Sequence, residues 1–265
     1  MDFDFAAIGY GSLVGLSLGL TGSGGSILAI PILVYGLGLP VSQAIVVSLL
    51  MVSTIALFGA VRQTFENHVD WQSAFMFSLA GMLVSPIVIQ MAHSVNETLR
   101  IVLFAALMLF VASRMAFENP KHVASHSASY KIRHRSLSER IKIVFGGSAA
   151  GILAGFFGVG GGFIIVPLLS IIFHMPYRIA VGTSLASIFL ISIAAVGGAF
   201  MKDIVVDWPL FFNFVLGGGI GMLAGSALVN IIHERRAKII FAALTSILAI
   251  FMLIDKLYIH QGGLS

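Results

Sequence analysis

Two glycine-rich turns recur in the chain, and each leads directly into an apolar stretch that contains a proline. The first reads T-G-S-G-G-S-I-L-A-I-P from Thr21 to Pro31, and the second reads F-G-V-G-G-G-F-I-I-V-P from Phe157 to Pro167. Glycine and proline both interrupt regular helices. Matching breaks in corresponding apolar segments are typical of the central binding site of secondary transporters.

The two turns belong to a longer internal repeat. Gly22 of the first turn and Gly158 of the second are 136 residues apart. The same spacing joins Gly11 to Gly147, Gly15 to Gly151, Gly19 to Gly155, Pro40 to Pro176 and Ser48 to Ser184. After one inserted residue the spacing becomes 137, and F-A-A-L at 104–107 recurs at 241–244. This ordered series indicates two copies of one unit.

The composition predicts a membrane protein. Charged residues make up only 10% of the chain, against about 25% in soluble domains. Residues 5–61 contain no Asp, Glu, Lys or Arg, and a bilayer core is crossed by about 20 apolar residues. Continuous apolar runs predict helices, because barrel strands alternate. Asp2 and Asp4 precede the first run, so no cleavable signal peptide is expected.

Each unit divides into five predicted helical segments. In the first unit they span 5–20, 24–38, 41–63, 71–92 and 97–116. In the second they span 140–156, 160–174, 177–200, 207–231 and 236–255. The first two segments of each unit are short, since about 16 residues reach only about 24 Å. They are either tilted crossings or a re-entrant hairpin broken at the glycine turn, and the sequence leaves both open.

Lysine and arginine positions predict the orientation of the helices. Basic residues crowd residues 114–142 and 235–238 and also occur at Arg62, so these connections are expected in the cytoplasm. Counting crossings then puts both termini outside and gives the two units opposite orientations. The expected fold is an all-α integral membrane protein with two inverted-topology repeats. Its expected divisions are a first repeat at 1–116, a basic cytoplasmic linker at 117–139 and a second repeat at 140–265.

The glycine turns are predicted to bind an anion. The first N–H groups of a helix have no partner within it, and the helix dipole adds positive charge there. Glycine lets a ligand approach this backbone, and nearby hydroxyl groups add donors. The predicted binding residues are Thr21, Ser23, Gly24, Gly25, Ser26, Ser48, Gly158, Gly160, Gly161, Gly162, Thr183 and Ser184.

Two alternatives to this interpretation stay open. Glycines in membrane helices often serve only close packing between helices. Serine and threonine in such helices often donate back to their own backbone. The repetition of the turns, and of Ser48 as Ser184, favours the binding site.

Other functions lack their usual sequence signatures. No histidine and carboxylate cluster has metal-ligand spacing, and neither glycine run leads into the G-K-S or G-K-T of a phosphate-binding loop. No cysteine is present, and we expect no cofactor. Ser23 lacks a mid-span histidine to act as its base, so an intramembrane protease is disfavoured and no enzyme is expected. A passive anion channel and a structural membrane protein remain as rivals.

The motifs also resemble a known family. G-V-G-G-G-F-I-I-V-P-L-L, followed by A-V-G-T-S-L-A-S-I, is similar to the TauE/SafE-type sulfite exporters, also called the toluene-sulfonate uptake permease family. The first copy matches less closely, with Ser23 and Ser26 where the second has Val159 and Gly162. The resemblance implies a bacterial inner-membrane carrier for small sulfur-containing anions such as sulfite, thiosulfate, sulfonates or sulfoacetate. The expected partners are that anion and the lipid bilayer, not nucleic acid, and a homodimer is left open.

Overall fold

A computed structural model describes residues 4–22, 25–92, 94–117, 137–172, 175–199, 206–228 and 234–262. Within these ranges the chain forms ten α-helices and no strand, as predicted for an all-α protein. The first half contains α1 (Phe5–Thr21), α2 (Gly25–Pro31), α3 (Val41–Phe65), α4 (Trp71–Ala92) and α5 (Glu97–Phe117). The second half contains α6 (Leu137–Phe157), α7 (Gly162–Ile172), α8 (Tyr177–Ala199), α9 (Trp208–Leu228) and α10 (Glu234–Gly262).

The five predicted segments of each half are therefore confirmed as helices, with differences at several of their ends. Helix α10, for example, continues to Gly262, whereas the predicted segment ended at residue 255. Helix α2 continues beyond Pro31 as a π-helical turn, Ile32–Gly36. Proline has no N–H group and so removes one hydrogen bond of the regular ladder, which favours such a local change of pitch. Helix α6 begins at Leu137, inside the segment predicted as a linker at 117–139, and residues 118–136 of that linker lie outside the described residues.

Four of the described helices are long and apolar enough to cross a membrane by length and composition. They are the third and fourth helices of each half: α3, α4, α8 and α9. Large apolar side chains such as Leu83 and Ile220 are exposed on the outer faces of these helices, as expected beside lipid. Trp71 and Trp208, at the starts of α4 and α9, are each about half exposed and suit the membrane–water boundary.

The two halves pack by exchanging equivalent contacts. Helix α1 of the first half packs along α9 of the second, and α6 of the second half packs along α4 of the first. The third helices, α3 and α8, pack against each other and are largely buried. The fifth helices, α5 and α10, also pack together. Every one of these contacts joins one half to the other, so the core is shared by both copies.

Glycines make the closest of these contacts possible. A Cβ atom added to Gly15 of α1 would overlap the carbonyl oxygen of Gly218 in α9. The equivalent Gly151 of α6 would likewise meet the carbonyl oxygen of Gly81 in α4. Gly11 and Gly19, with Gly147 and Gly155, repeat this pattern one turn to either side. Burial of apolar surface gives little driving force for helix association in membranes, so close packing contributes more there, and small residues that let backbones touch are enriched at such interfaces.

We expect Gly15→Ala to destabilise the protein, because its methyl group has no space beside the α9 backbone. The cost of forcing one methyl group into such a contact is about 1–3 kcal/mol. Gly219→Ala is the matched control, since a Cβ atom there meets nothing within 4 Å. Thermal unfolding in detergent should show a lower Tm for Gly15→Ala and an unchanged or higher Tm for Gly219→Ala. Equal Tm values would contradict the proposed packing.

Candidate functional site

Both glycine turns begin with the same backbone conformation. Gly22 ends α1 with φ of 71°, and Gly158 ends α6 with φ of 72°. The Gly22 N–H donates to the Leu18 carbonyl at 2.7 Å, and the Gly158 N–H donates to the Ala154 carbonyl at 2.8 Å. This left-handed helix cap favours glycine because other side chains are strained there. The predicted helix breaks are thus present at equivalent positions in both halves.

Each turn lies against the third helix of the other half. A Cβ atom on Gly22 would overlap the side chain of Val181 in α8. A Cβ atom on Gly158 would lie 2.9 Å from atoms of Ile45 in α3. Ile45 and Val181 are themselves equivalent positions of the two copies. The conformation of each turn therefore depends on a helix supplied by the opposite half.

The predicted serines form the hydrogen bonds of this contact. The Ser48 hydroxyl of α3 donates to the Gly158 carbonyl at 2.6 Å, and the Ser184 hydroxyl of α8 donates to the Gly22 carbonyl at 3.0 Å. Each hydroxyl also lies within hydrogen-bond distance of a carbonyl three residues earlier in its own helix. The fold thus brings both serines to the turns, where their protons are directed at protein carbonyls. Donation by them to a substrate stays a prediction.

The other predicted residues of the first turn and of α8 lie in separate surroundings. The Thr21 hydroxyl donates to the Ser17 carbonyl of its own helix at 2.7 Å. Gly25 and Ser26 are buried at the start of α2, whereas Ser23 and Gly24 lie outside the described residues. The Thr183 hydroxyl accepts a hydrogen bond from the Asp70 N–H at 3.0 Å, at the connection between α3 and α4. The predicted set is therefore divided among several places in this structure.

The backbone of the second turn is described completely, and residues 158–162 are all buried. Gly160 and Gly161 have φ of 69° and 68°, and Gly162 begins α7. The turn is closed by the Ile164 N–H, which donates to the Gly161 carbonyl at 3.1 Å. In an α-helix the first N–H groups have no intrahelical partner. The Ile164 N–H is already used in closing the turn, so the groups at the start of α7 that suit an anion are the N–H groups of Gly162 and Phe163 and the positive end of the helix dipole.

Ser192 of α8 is a polar residue at this turn that the sequence analysis missed. Its side chain is fully buried, and within the described part of the chain its Oγ has no hydrogen-bond partner. A Cβ atom built on Gly160 would lie 2.9 Å from this Oγ, so the hydroxyl is beside the turn backbone. A buried hydroxyl without a partner costs about 1–3 kcal/mol. The sequence could have indicated Ser192, because it follows Ser184 by eight residues, about two helical turns, and so lies on the same side of the helix.

Arg100 of α5 was also missed, although it is a cation within a predicted helix. Its side chain is only 6% exposed. One guanidinium nitrogen donates to the Phe156 carbonyl at 3.3 Å, and the group lies 5.9 Å from the Phe156 ring centre. Its Nε is buried without a partner, and no ion pair to Arg100 forms among the described residues. One sequence feature could have identified Arg100: the equivalent position in the second copy is the uncharged Ala237.

A small apolar cavity adjoins this arginine. Its volume is about 10 Å³, close to the space that one water molecule needs. Residues of α2, α3, α5, α6 and α10 line it: Ile30, Val34, Val41, Ile45, Arg100, Ile101, Phe104, Phe156, Phe157 and Met252. Phe157 contacts both Phe104 and Phe156, with ring centres 5.5 Å and 4.8 Å apart. The cavity therefore lies beside the last residues before the second turn.

Comparison with known proteins assigns the chain to a family. The family model described as "Sulfite exporter TauE/SafE" matches residues 7–252. The chain belongs to the TauE/SafE family. This match confirms the resemblance of the glycine motifs, and it covers both copies of the repeat.

Several relatives of this TauE/SafE chain carry the name "Probable membrane transporter protein". One from Xylella fastidiosa (strain 9a5c) is 33% identical over 224 residues, which are 84% of each chain. YjnA from Bacillus subtilis (strain 168) is 26% identical over 246 residues, covering 88% of this chain and 93% of YjnA. No solved structure matches significantly. The family, these bacterial relatives and the apolar helices identify a multi-pass bacterial membrane transporter.

We expect Ser48→Ala to lower the Tm more than Ser53→Ala. Both serines are buried in α3, but Ser53 donates only to the Leu50 carbonyl of its own helix. Ser48→Ala also removes the bond to the Gly158 carbonyl of the other half, worth about 0.5–1.5 kcal/mol. Thermal unfolding of the two purified variants measures the difference. A Tm for Ser48→Ala at or above that of Ser53→Ala would show that this bond does not hold the turn.

Proposed function

We propose that the protein is a secondary transporter for small sulfur-containing oxyanions, with its binding site at the second glycine turn. The supporting observation is the buried Ser192 hydroxyl, which has no partner in the described chain and lies beside Gly160. Together with N–H groups at the start of α7, it provides donors within residues 141–202, a stretch of the chain that contains no acidic side chain. The family supports sulfite as the first anion to test, followed by thiosulfate and sulfonates.

The proposed mechanism is alternating access between two inverted repeats. The exchanged contacts of α1 with α9 and α6 with α4 are the pattern expected for copies related by a pseudo-two-fold axis. The Lys and Arg distribution supports opposite orientations of these copies in the membrane. Since each turn rests on a helix of the other half, movement between the halves would change both turns together. The first-turn residues Ser23–Ser26, with Thr21 and Thr183, remain proposed contributors to the pathway.

The proposed direction is export. An inside-negative potential favours outward movement of an anion by about 2.3 kcal/mol per charge per 100 mV. A carrier usually couples uptake to protons through a carboxylate inside a membrane span, and the charge-free spans contain none. The buried Asp70 lies outside those spans, at the connection between α3 and α4. The principal rival is a passive anion channel, which would pass the same ions without saturation.

Flux through proteoliposomes tests this proposal. The vesicles are loaded with labelled sulfite, and valinomycin with potassium gradients sets the potential. We expect efflux that saturates with internal sulfite and accelerates when the interior is negative. Flux that rises linearly with concentration would indicate a channel. Efflux that ignores the potential but follows a sodium or proton gradient would contradict uncoupled export.

We expect Ser192→Ala to weaken sulfite binding about ten- to a hundred-fold. This corresponds to the loss of one hydrogen bond to a charged group, about 1.5–3 kcal/mol. Ser187→Ala is the control on the same helix, because that hydroxyl donates to the Thr183 and Ala74 carbonyls. Titration calorimetry on the purified variants measures both affinities. A bulky substitution in the turn itself, such as Gly161→Leu, would not test binding cleanly, because its Cβ would lie 2.6 Å from the Ala150 carbonyl oxygen and disturb the fold. Unchanged sulfite affinity in Ser192→Ala would show that the binding site does not include this hydroxyl.

Inverted repeats predict opposite labelling of equivalent connections. Glu66 and Asp207 are exposed residues shortly before the fourth helix of each half, and the chain contains no native cysteine. In intact cells, an impermeant maleimide should label Asp207→Cys directly. It should label Glu66→Cys only after the membrane is permeabilised. Direct labelling of both variants would rule out the inverted arrangement.

A further inference from the structure

We propose that Arg100 binds the oxyanion group of the substrate at an entry position next to the second turn. This inference rests on the proposed function and adds a positively charged residue to a site otherwise built from neutral donors. It follows from the burial, contacts and position of Arg100.

The burial of Arg100 calls for an anionic partner. A buried charge in a protein is normally paired, because removal from water without compensation is very unfavourable. The side chain is 6% exposed, and exposed Glu97, three residues earlier on α5, attracts it electrostatically without coming within ion-pair distance. No carboxylate of the described residues therefore forms an ion pair with the guanidinium. Its neutral partners are the Phe156 carbonyl and the face of the Phe156 ring. The Nε donor stays unused within the described chain.

The position of Arg100 links the cavity to the turn. Arg100 is among the residues that line the cavity, whose walls are almost entirely apolar. Phe156, which receives its hydrogen bond, is two residues before Gly158. An anion beside Arg100 would therefore be close to the backbone that leads into α7. In the proposed topology α5 begins at the outer surface, so this is the outer entrance to the site.

The aromatic residues fit a closed entrance. Phe157 packs edge-on against Phe156 and also contacts Phe104 across the cavity. With a volume of about 10 Å³, the cavity in this conformation is too small for an oxyanion. Binding at Arg100 therefore requires these rings to separate. Arg100 would then exchange its single carbonyl contact for the oxygens of the anion.

The guanidinium specifies the class of ligand. Its planar fork of N–H donors matches two oxygens of one oxyanion, which a lysine ammonium cannot contact in the same way. Sulfite, sulfonates and carboxylates all present such a pair of oxygens, whereas chloride presents none. The proposal therefore predicts selection of oxyanions over halides. Ala237 at the equivalent position of the second copy predicts that this selection occurs at one entrance only.

The test compares Arg100→Met and Arg100→Lys with Lys142→Gln. Lys142 is exposed on α6 and makes no described polar contact, so its replacement removes one charge away from the cavity. Calorimetry gives the Kd for sulfite, sulfoacetate and chloride, and thermal unfolding without anion gives the Tm. We expect Arg100→Met to weaken oxyanion binding about ten- to a hundred-fold and Arg100→Lys about ten-fold. Lys142→Gln should keep the wild-type Kd.

The two measurements separate binding from a structural role. A lower Tm with wild-type Kd in either variant would show that Arg100 only caps the end of α6, and would overturn the inference. If Arg100→Met does not fold, the Kd of Arg100→Lys decides, because lysine keeps the charge but loses the fork. Failure of the wild-type protein to bind any of these oxyanions would instead contradict the proposed function. If the wild-type protein binds these oxyanions and the Arg100 variants bind them equally well, the proposed function stands and only the entry site at Arg100 is contradicted.

Discussion

The structure depends on the direct contact of helix backbones between the two halves. At Gly15 with Gly218, and at Gly151 with Gly81, there is no room for a side chain. In lipid, such close packing replaces the hydrophobic effect as the source of helix association. These contacts fix α1 along α9 and α6 along α4, and so they set where the turns at the ends of α1 and α6 lie.

The same exchange builds the candidate site. Ser48 and Ser184 lie in the paired third helices α3 and α8. Each donates to the carbonyl of the glycine that begins the turn of the opposite half, Gly158 for Ser48 and Gly22 for Ser184. A turn held by the other half can respond when the halves move, whereas a turn held only by its own helices cannot. The serines thus have a physical role as links between halves, independent of whether they contact a substrate.

Much of the fold followed from the sequence, because helical segments in lipid are determined locally by apolar length and by breaks at glycine and proline. The segment boundaries, the duplication and the turn at Gly158 were predictable in this way. The partners of Ser48 and the burial of Arg100 were not, since each depends on residues more than 50 positions away. Ser192 looked like one of several serines in an apolar helix until the fold placed it beside Gly160.

The central claim is that the second turn is a binding site reached alternately from both sides of the membrane. The most direct test is the reactivity of Ser192→Cys, which introduces a single thiol into a protein with no native cysteine. A membrane-impermeant thiol reagent is added to oriented vesicles from one side at a time, and modification is read by mass spectrometry. Our account predicts modification from each side, slowed by a transported sulfonate, which does not consume the reagent as sulfite does. Modification from one side alone, or from neither, would contradict alternating access to this turn.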